Sequence, residues 1–203
     1  MITEFDRGIW SKWPNRYKAM FFNSLGGLKS VGLVCTLNKN DLANAGVFSQ
    51  LIHIGSSPPT WGFLFRPPTE EHQTYENLSR NPYFTFSLAT SFISIASLHQ
   101  CSAKYPNDVS ELDQQGIKWS MNTYFNVPIL EESDIQIIFK KTLKHDMSNG
   151  TILIEAEIIR VISNILPQND GFMKLTEKTL ISSQGLNAYA KTKDISPLKY
   201  AEP

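Results

Sequence analysis

The chain of 203 residues is long enough to bury a substantial core, whereas two full independent domains would be crowded. Its 41% hydrophobic and 19% charged residues are ordinary for a globular protein and exclude a disordered or fibrous chain. The 19 basic and 19 acidic residues give a formal net charge of +0, so no global field attracts nucleic acid or anionic lipid. We expect a single domain over residues 1–203 that binds neither nucleic acid nor membranes.

The first elements in chain order are a helix and a hairpin. A helix is predicted over residues 15–25, because apolar side chains recur at helical intervals and two glycines then provide a stop. Residues 30–37 alternate between apolar and smaller or polar side chains, which predicts a strand. Turn-forming residues follow at 38–41, and a second extended run reaches Ile54. These two runs should form an antiparallel hairpin.

The middle of the chain alternates short strands with helical inserts. After a Pro-Pro break, residues 61–65 form an aromatic-rich strand, and a short helix is predicted over 74–79. Residues 83–88 alternate again and predict a strand. The Ser and Ala content of 92–98 favours a helix there, while the polar and aromatic segment 104–126 is typical of a long surface loop with one helical turn.

Two long β-rich runs, 134–143 and 151–162, complete the pattern, and Asn149-Gly150 between them is a strong hairpin signal. Strands joined by hairpins, with helices only as inserts, favour a closed or nearly closed antiparallel barrel over a parallel sheet. The predicted fold is therefore mainly β, with an N-terminal helix and a C-terminal extension.

Familiar catalytic motifs are absent. The sequence has no dinucleotide-binding glycine motif after a strand, no phosphate loop, no His-Glu-x-x-His and no nucleophile elbow, so no catalytic residue is assigned. Its four histidines are scattered, and Cys35 and Cys101 are too few for a disulfide framework. We predict no metal site and two buried thiols. The N-terminus lacks the layout of a secretory signal and no apolar run could cross a membrane, which predicts a cytoplasmic protein.

Several short segments, in order and at matching spacing, closely resemble the flavin reductase-like family of FMN-binding split barrels, which includes flavoredoxin-like proteins. They are 44–49 (NAGVFS), 53–59 (HIGSSPP), 62–67 (GFLFRP), 74–78 (TYENL), 99–105 (HQCSAKY), 110–112 (SEL) and 183–189 (SQGLNAY). The resemblance runs roughly from residue 17 to 201. It implies an antiparallel, Greek-key split barrel that binds FMN.

A flavin needs polar groups for its ring edge, an apolar wall, and amides with a cation for its phosphate. Asn44 and Ser49, beside Phe48, suit the ring edge, although loop capping would also explain the two polar residues. Arg66 at a strand end can form paired hydrogen bonds with phosphate, and Thr74 can cap the next helix and donate to the same oxygens.

The resemblance places the FMN phosphate along residues 66–77, which adds Asn77 to the candidate site. His99 and Lys104 are candidates on the side of the nicotinamide. The acidic residues Glu70 and Glu71 are interpreted as decorating a helix N-terminus that faces solvent, where the helix dipole favours carboxylates.

The implied activity is hydride transfer from NADH or NADPH to FMN, which needs no acid/base dyad because the cofactor performs the hard step. Reduced FMN would then serve a partner oxygenase. The family also implies a homodimer whose flavin sites lie where two subunits meet. Surplus aromatic residues are available for such an interface: Trp61, Trp119, Tyr124 and Phe125.

Three other interpretations stay open at this point. The same barrel could be a non-enzymatic FMN-binding electron carrier, or a related barrel could bind haem or pyridoxal phosphate. A flavin-free interaction module is the third, and it would purify colourless.

Overall fold

The structure is a computed structural model, and it describes residues 2–67, 72–198 and 201. Most of its elements are short antiparallel strands. In chain order they are α1 (Arg7–Trp10), α2 (Asn15–Ser24), β1 (Lys29–Ser30), β2 (Gly32–Leu37), β3 (Ala43–Phe48), β4 (Leu51–Ser56), β5 (Pro59–Phe65), α3 (Gln73–Arg80), β6 (Tyr83–Leu88), α4 (Ile95–Gln100), α5 (Glu111–Gln114), β7 (Trp119–Asn122), β8 (Val127–Leu130), β9 (Ile135–Asp146), β10 (Ile152–Ser163), β11 (Leu180–Gln184) and β12 (Ala188–Thr192).

The main sheet has seven antiparallel strands in the order β3-β2-β6-β9-β10-β5-β4. It curls into a barrel, because Phe63 on β5 packs its ring 5.0 Å from that of Phe84 on β6, although two strands separate them in the sheet. The two edge strands, β3 and β4, are successive in the chain and are joined only by Ser49 and Gln50. The barrel is therefore split between β3 and β4, which confirms the predicted fold class.

Strand β2 explains how helical inserts complete the core. Its residues are all buried, unlike those of a strand with one solvated face. Val34 points into the barrel with the phenylalanines, whereas Leu33 and Cys35 pack outward. The outward side chains meet a second cluster supplied by α4, α5 and β11, including Leu98 and Leu112. The inserts thus cover the outer, apolar face of β2.

Most of the predicted elements are confirmed, including the helix at α2, the strand at β6 and the β9–β10 hairpin. Two boundaries were wrong. The extended run predicted to reach Ile54 is divided at Ser49 and Gln50 into β3 and β4. The helix predicted at 92–98 begins only at Ile95, because Ser94 caps it by accepting a hydrogen bond from the Ser97 amide.

The prediction of a long surface loop over 104–126 was wrong in its second half. The chain there enters the β7–β8 hairpin, and Phe125 in its turn is buried. Asn126 adopts a left-handed conformation (φ 55°), and Asn122 Oδ1 accepts a hydrogen bond from the Phe125 amide. Strands of four residues, one of them containing Pro128, are too short for periodicity to reveal.

The C-terminal strands form a separate three-stranded sheet with β1, in the order β1-β11-β12. Asp134 ties the segment before β11 to the main sheet. It accepts hydrogen bonds from Thr90 and Asn164, and Lys178 Nζ lies 3.1 Å from its Oδ1. The predicted helix-terminal carboxylates Glu70 and Glu71 lie outside the described residues. None of the helices in the described part of the chain is long and apolar enough to span a bilayer.

Candidate functional site

A cleft of about 420 Å³ opens where the barrel is split. One wall is β3 with its connection to β4, and a second is the end of β5 with the start of α3. Segment 101–105 and the β11–β12 hairpin form the remaining sides. The volume falls within the range typical of small-molecule sites. The cleft therefore has the size of a small-molecule site and lies beside the split between β3 and β4.

The base of the cleft is a hydrogen-bonded group of buried side chains that we call the polar floor: Thr36, Asn44, Thr74, Asn77 and Glu111. Asn44 is its centre. Its Oδ1 accepts hydrogen bonds from Thr74 Oγ1 (2.9 Å) and Thr36 Oγ1 (3.1 Å), and its Nδ2 donates to both oxygens of Glu111 (3.1 and 3.2 Å). Asn77 Nδ2 donates to Thr36 Oγ1 at 3.0 Å. Both ends of the central amide are thus satisfied within the protein.

Glu111 is a buried carboxyl in the cleft to which the sequence interpretation gave no role. Ser110 caps α5, which places Glu111 at its first position, packed under β3. Burial raises the pKa of Glu111, while hydrogen bonds from the Ala45 amide, the Glu111 amide and the Asn44 side chain act in the opposite direction. The signal that could have found it is a carboxylate directly after a serine cap in a segment of otherwise core-forming residues.

One side of the cleft is aromatic. Phe48 at the end of β3 packs edge-on against Phe65, with 4.9 Å between ring centroids, and Phe65 in turn contacts Tyr75. Gly46 permits this packing, because a Cβ there would lie 3.1 Å from both the Phe48 ring and Thr74 Oγ1. A side chain at Gly46 would require the Phe48 ring or the Thr74 side chain to shift slightly.

Three basic side chains line the cleft, although the protein carries no net charge: Arg66, His72 and Lys104. They come from the end of β5, the residue before α3 and the segment after α4. Arg66 and Lys104 are exposed, so they remain solvated at the rim. Arg66 and Lys104 provide the positive local field that an anionic ligand needs in a protein without net charge.

Six of the eight predicted cofactor residues line the cleft: Asn44, Phe48, Ser49, Arg66, Thr74 and Lys104. The other two lie behind the lining. Asn77 is buried below the floor, where it donates to Thr36. His99 stands behind Tyr189, with its Nδ1 2.9 Å from the Tyr189 hydroxyl, and Tyr189 itself lines the cleft.

The β11–β12 hairpin forms another wall of the cleft, and none of its residues was given a role in the sequence analysis. We call this surface the hairpin wall, and it consists of Ser183, Gly185, Leu186 and Tyr189. Burial raises the pKa of Tyr189, so its hydroxyl stays neutral. The neighbouring Cys101 also lines the cleft, and burial raises the pKa of its thiol to about 12. The thiol is thus protonated at neutral pH, which argues against thiolate chemistry in the cleft.

Comparison with known proteins gives a consistent result. The family model described as flavin reductase like domain matches residues 28–174. No curated protein sequence matched the chain. Among solved structures, a split-barrel protein from Shewanella frigidimarina, assigned as a flavin reductase, superposes with a TM-score of 0.90 at 29% identity, covering 98% of this chain and 100% of that one.

Two further structures share the fold at lower identity. A 2-nitrobenzoate 2-nitroreductase from Pseudomonas fluorescens has a TM-score of 0.82 and 19% identity, covering 98% of this chain and 96% of that one. Nitrilotriacetate monooxygenase component B from Bacillus cereus also has a TM-score of 0.82, at 14% identity, and the coverages are 98% and 99%.

Proposed function

Because the chain belongs to the flavin reductase like domain family, we propose that it is an FMN-dependent oxidoreductase that passes hydride from NADH or NADPH to flavin. The observation that carries this proposal is the cleft itself. It combines a satisfied polar floor, an aromatic side and three basic side chains within about 420 Å³. These are the parts that a phosphorylated, flat, polar-edged ring requires.

The described residues fit FMN at both of its ends. Arg66 and Lys104 are long, exposed cations at the rim, which suits a phosphate that stays partly solvated. Phe48 and Ser49 belong to the split between β3 and β4, where a ring can lie beside the barrel wall. Asn44 and Thr74 support this surface from below, and Asn77 acts through Thr36.

When bound, the flavin supplies the hydride acceptor. The task of the chain is then to hold two flat ligands in alignment and to limit water around them. The polar floor keeps β3, α3 and α5 in fixed register, because Asn44, Thr74 and Glu111 bond to one another across these elements. No nucleophile is needed, which agrees with the protonated thiol of Cys101.

We further propose that reduced flavin leaves for a partner oxygenase. The structural likeness to a protein named as component B of a monooxygenase supports this step. The rival interpretation, an FMN-binding electron carrier, predicts tight flavin binding without turnover of either nicotinamide. The two differ in one measurement, the oxidation of NADH and NADPH with and without added free flavin.

A homodimer remains part of the proposal, with a different surface from the one first predicted. Among the aromatic residues predicted at the interface, Tyr124 is 82% exposed, but Phe125 is buried in its own subunit. Exposed apolar side chains on the outer faces of the barrel strands support self-association better: Ile52, Ile54, Leu143, Ile159 and Val161. Gel filtration tests this, and elution as a monomer at micromolar concentration would contradict it.

The deciding experiment begins with the absorbance spectrum of the purified protein, followed by titration of apo-protein with FMN. We expect flavin bands or, in apo-protein, saturable FMN binding that raises the thermal midpoint. Anaerobic addition of NADH or NADPH should then bleach the flavin. Failure to bind FMN rejects the proposed function, and binding without bleaching by either nucleotide supports the electron carrier.

A further inference from the structure

Ser183 carries a hydroxyl that the folded chain leaves without a partner. It is 7% exposed, lines the cleft, and its Oγ makes no hydrogen bond to any described residue. Every other buried side-chain nitrogen or oxygen in the described part of the chain has a hydrogen-bond partner. Buried polar groups are almost always satisfied, because an unsatisfied one destabilises the fold. An unpartnered hydroxyl on a residue that lines the cleft is therefore a group that a bound ligand can satisfy.

The strand that carries Ser183 forms part of the cleft wall. Ser183 pairs across β1 with Lys29 and across β12 with Tyr189, so it lies in the middle strand of a three-stranded sheet. Tyr189 brings a second hydroxyl to the same wall, held by its hydrogen bond with His99. Leu186 adds an apolar contact at the tip of the hairpin. The hairpin wall thus combines hydroxyl groups with an apolar surface.

This wall is separate from the parts that suit FMN. The polar floor, Phe48 and the three basic side chains lie on the other sides of the cleft, which are formed by β3, the end of β5, the start of α3, α5 and segment 101–105. Ser183 and Tyr189 lie later in the chain, on β11 and β12. The cofactor's ring edge, apolar wall and phosphate are therefore provided for without the hairpin wall, which leaves that wall available to a second ligand in the same cleft.

We propose that Ser183 recognises the second substrate of the cleft by a hydrogen bond to a planar amide or carbonyl group. This inference rests on the proposed function, in which the second substrate is NADH or NADPH and the group is the nicotinamide carboxamide. A hydroxyl suits that group because it can donate to the carbonyl oxygen or accept from the amide. Ser183 is then a specificity-determining residue for the electron donor.

The test compares Ser183→Ala with the matched control Ser182→Ala, which removes a hydroxyl from the next residue of β11. Ser182 is half-buried and, because side chains alternate along a strand, it faces the opposite side of the sheet. For each protein, anaerobic single-turnover reduction gives the apparent Kd of NADH and NADPH and the limiting rate. Fluorescence titration of apo-protein gives the Kd of FMN, and thermal unfolding gives the midpoint of apo-protein.

For Ser183→Ala we expect the apparent Kd of the preferred nicotinamide to rise about 3- to 10-fold, the loss typical of one hydrogen bond. The Kd of FMN should stay within about twofold. The thermal midpoint of apo-protein should rise by about 2 to 4 °C, because the variant removes an unsatisfied buried group. Ser183→Thr keeps the hydroxyl and should restore nicotinamide binding. Ser182→Ala should change none of these quantities beyond error.

A second arm varies the ligand. Replacing the carboxamide by an acetyl group, as in the reduced 3-acetylpyridine analogue, removes the amide donor. The analogue should bind the wild-type protein more weakly than the natural nucleotide, and Ser183→Ala should show a smaller difference between the two. Equal differences, with Ser183→Ala raising the apparent Kd of both nucleotides, would place the hydrogen bond on the carbonyl oxygen, which the analogue keeps.

Three results would overturn the inference. A weaker FMN affinity with unchanged nicotinamide Kd would assign Ser183 to the flavin. A lower thermal midpoint with both affinities unchanged would make the hydroxyl structural. Equal effects of Ser182→Ala and Ser183→Ala would show a general loosening of β11. Failure of the proposed function is distinct, because it appears in the wild-type protein as a lack of FMN binding.

Discussion

The polar floor and Ser183 on the hairpin wall are buried polar groups of one cleft, but they differ in their hydrogen bonds. In the floor, Asn44 Oδ1 accepts hydrogen bonds from Thr36 and Thr74, and Asn44 Nδ2 donates to Glu111. In the wall, the Ser183 hydroxyl makes no hydrogen bond with any described residue. The contrast separates groups that build a site from groups that recognise what enters it.

The contrast changes how the predicted cofactor residues should be interpreted. Asn44, Thr74 and Asn77 were predicted to contact FMN, yet each already bonds to another side chain of the floor. Their substitution should therefore disturb stability as well as binding. Arg66 is exposed at the rim, so its substitution should affect binding more than stability.

The largest expected effect is on the centre of the floor. Asn44→Ala should lower the free energy of unfolding of apo-protein by about 3 kcal/mol, because it removes the side-chain hydrogen bonds that the buried Glu111 carboxyl and the Thr36 and Thr74 hydroxyls make with the Asn44 amide. Urea unfolding at neutral pH measures this. Asn40→Ala, at an exposed turn position, is the control and should cost less than about 0.5 kcal/mol. A loss for Asn44→Ala below about 1 kcal/mol would refute the satisfied floor.

The next effect should fall on binding rather than stability. Arg66→Ala should weaken FMN binding about 10- to 30-fold, since a charge-assisted hydrogen bond to phosphate is lost, and should leave the unfolding free energy of apo-protein unchanged. Calorimetric titration measures it, with riboflavin as the ligand that lacks phosphate. Riboflavin affinity should not change. Arg80→Ala removes an exposed arginine paired with Glu76 on α3 and serves as the protein control.

The barrel was predictable because several of its strands and turns have clear local sequence signals. Strand β6 alternates over its whole length, and Asn149-Gly150 marks the β9–β10 turn. The β7–β8 hairpin was not predictable, because it is stabilised by tertiary contacts of Phe125 and Val127 with Ile138 rather than by any local pattern. Short strands that are stabilised by tertiary packing show little periodicity in the sequence.

The candidate site was predictable in position more than in chemistry. Resemblance led to Arg66 and Phe48, which line the cleft, because those segments keep a family pattern. It could not reveal that Glu111 is buried under Asn44, since that contact joins residues 67 positions apart. Nor could it show that Ser183 lacks a partner. Satisfaction of a hydrogen bond is a property of the folded surroundings, and a sequence motif does not contain it.

A smaller effect, on pH dependence, should mark the acid of the floor. Burial raises the pKa of Glu111, so the folded state holds its proton more tightly than the unfolded state does. Its contribution to stability is therefore fully present below the ordinary value of 4.5 and is lost as pH rises through the raised pKa. Glu111→Gln removes this loss.

The measurement is the difference between the unfolding free energies of wild type and Glu111→Gln from pH 4 upward, which cancels the contributions of other carboxyl groups. The difference should grow in favour of the variant as pH rises above about 4.5. Glu131→Gln, at an exposed position, is the control and should give a flat difference. A flat difference for Glu111 as well would mean that the carboxyl is not held in a desolvated floor.

The smallest effect should separate the two hydroxyls of the hairpin wall. Tyr189 differs from Ser183 because it already has a protein partner, His99. Tyr189→Phe should therefore lower the unfolding free energy of apo-protein by about 1 kcal/mol, whereas Ser183→Ala should raise it. Thermal unfolding of the two apo-variants under one buffer measures the signs. Two losses would mean that both hydroxyls serve the fold, and two gains would mean that the bond to His99 does not form in solution. Opposite signs would show that one wall holds a hydroxyl fixed for structure beside one kept for a ligand.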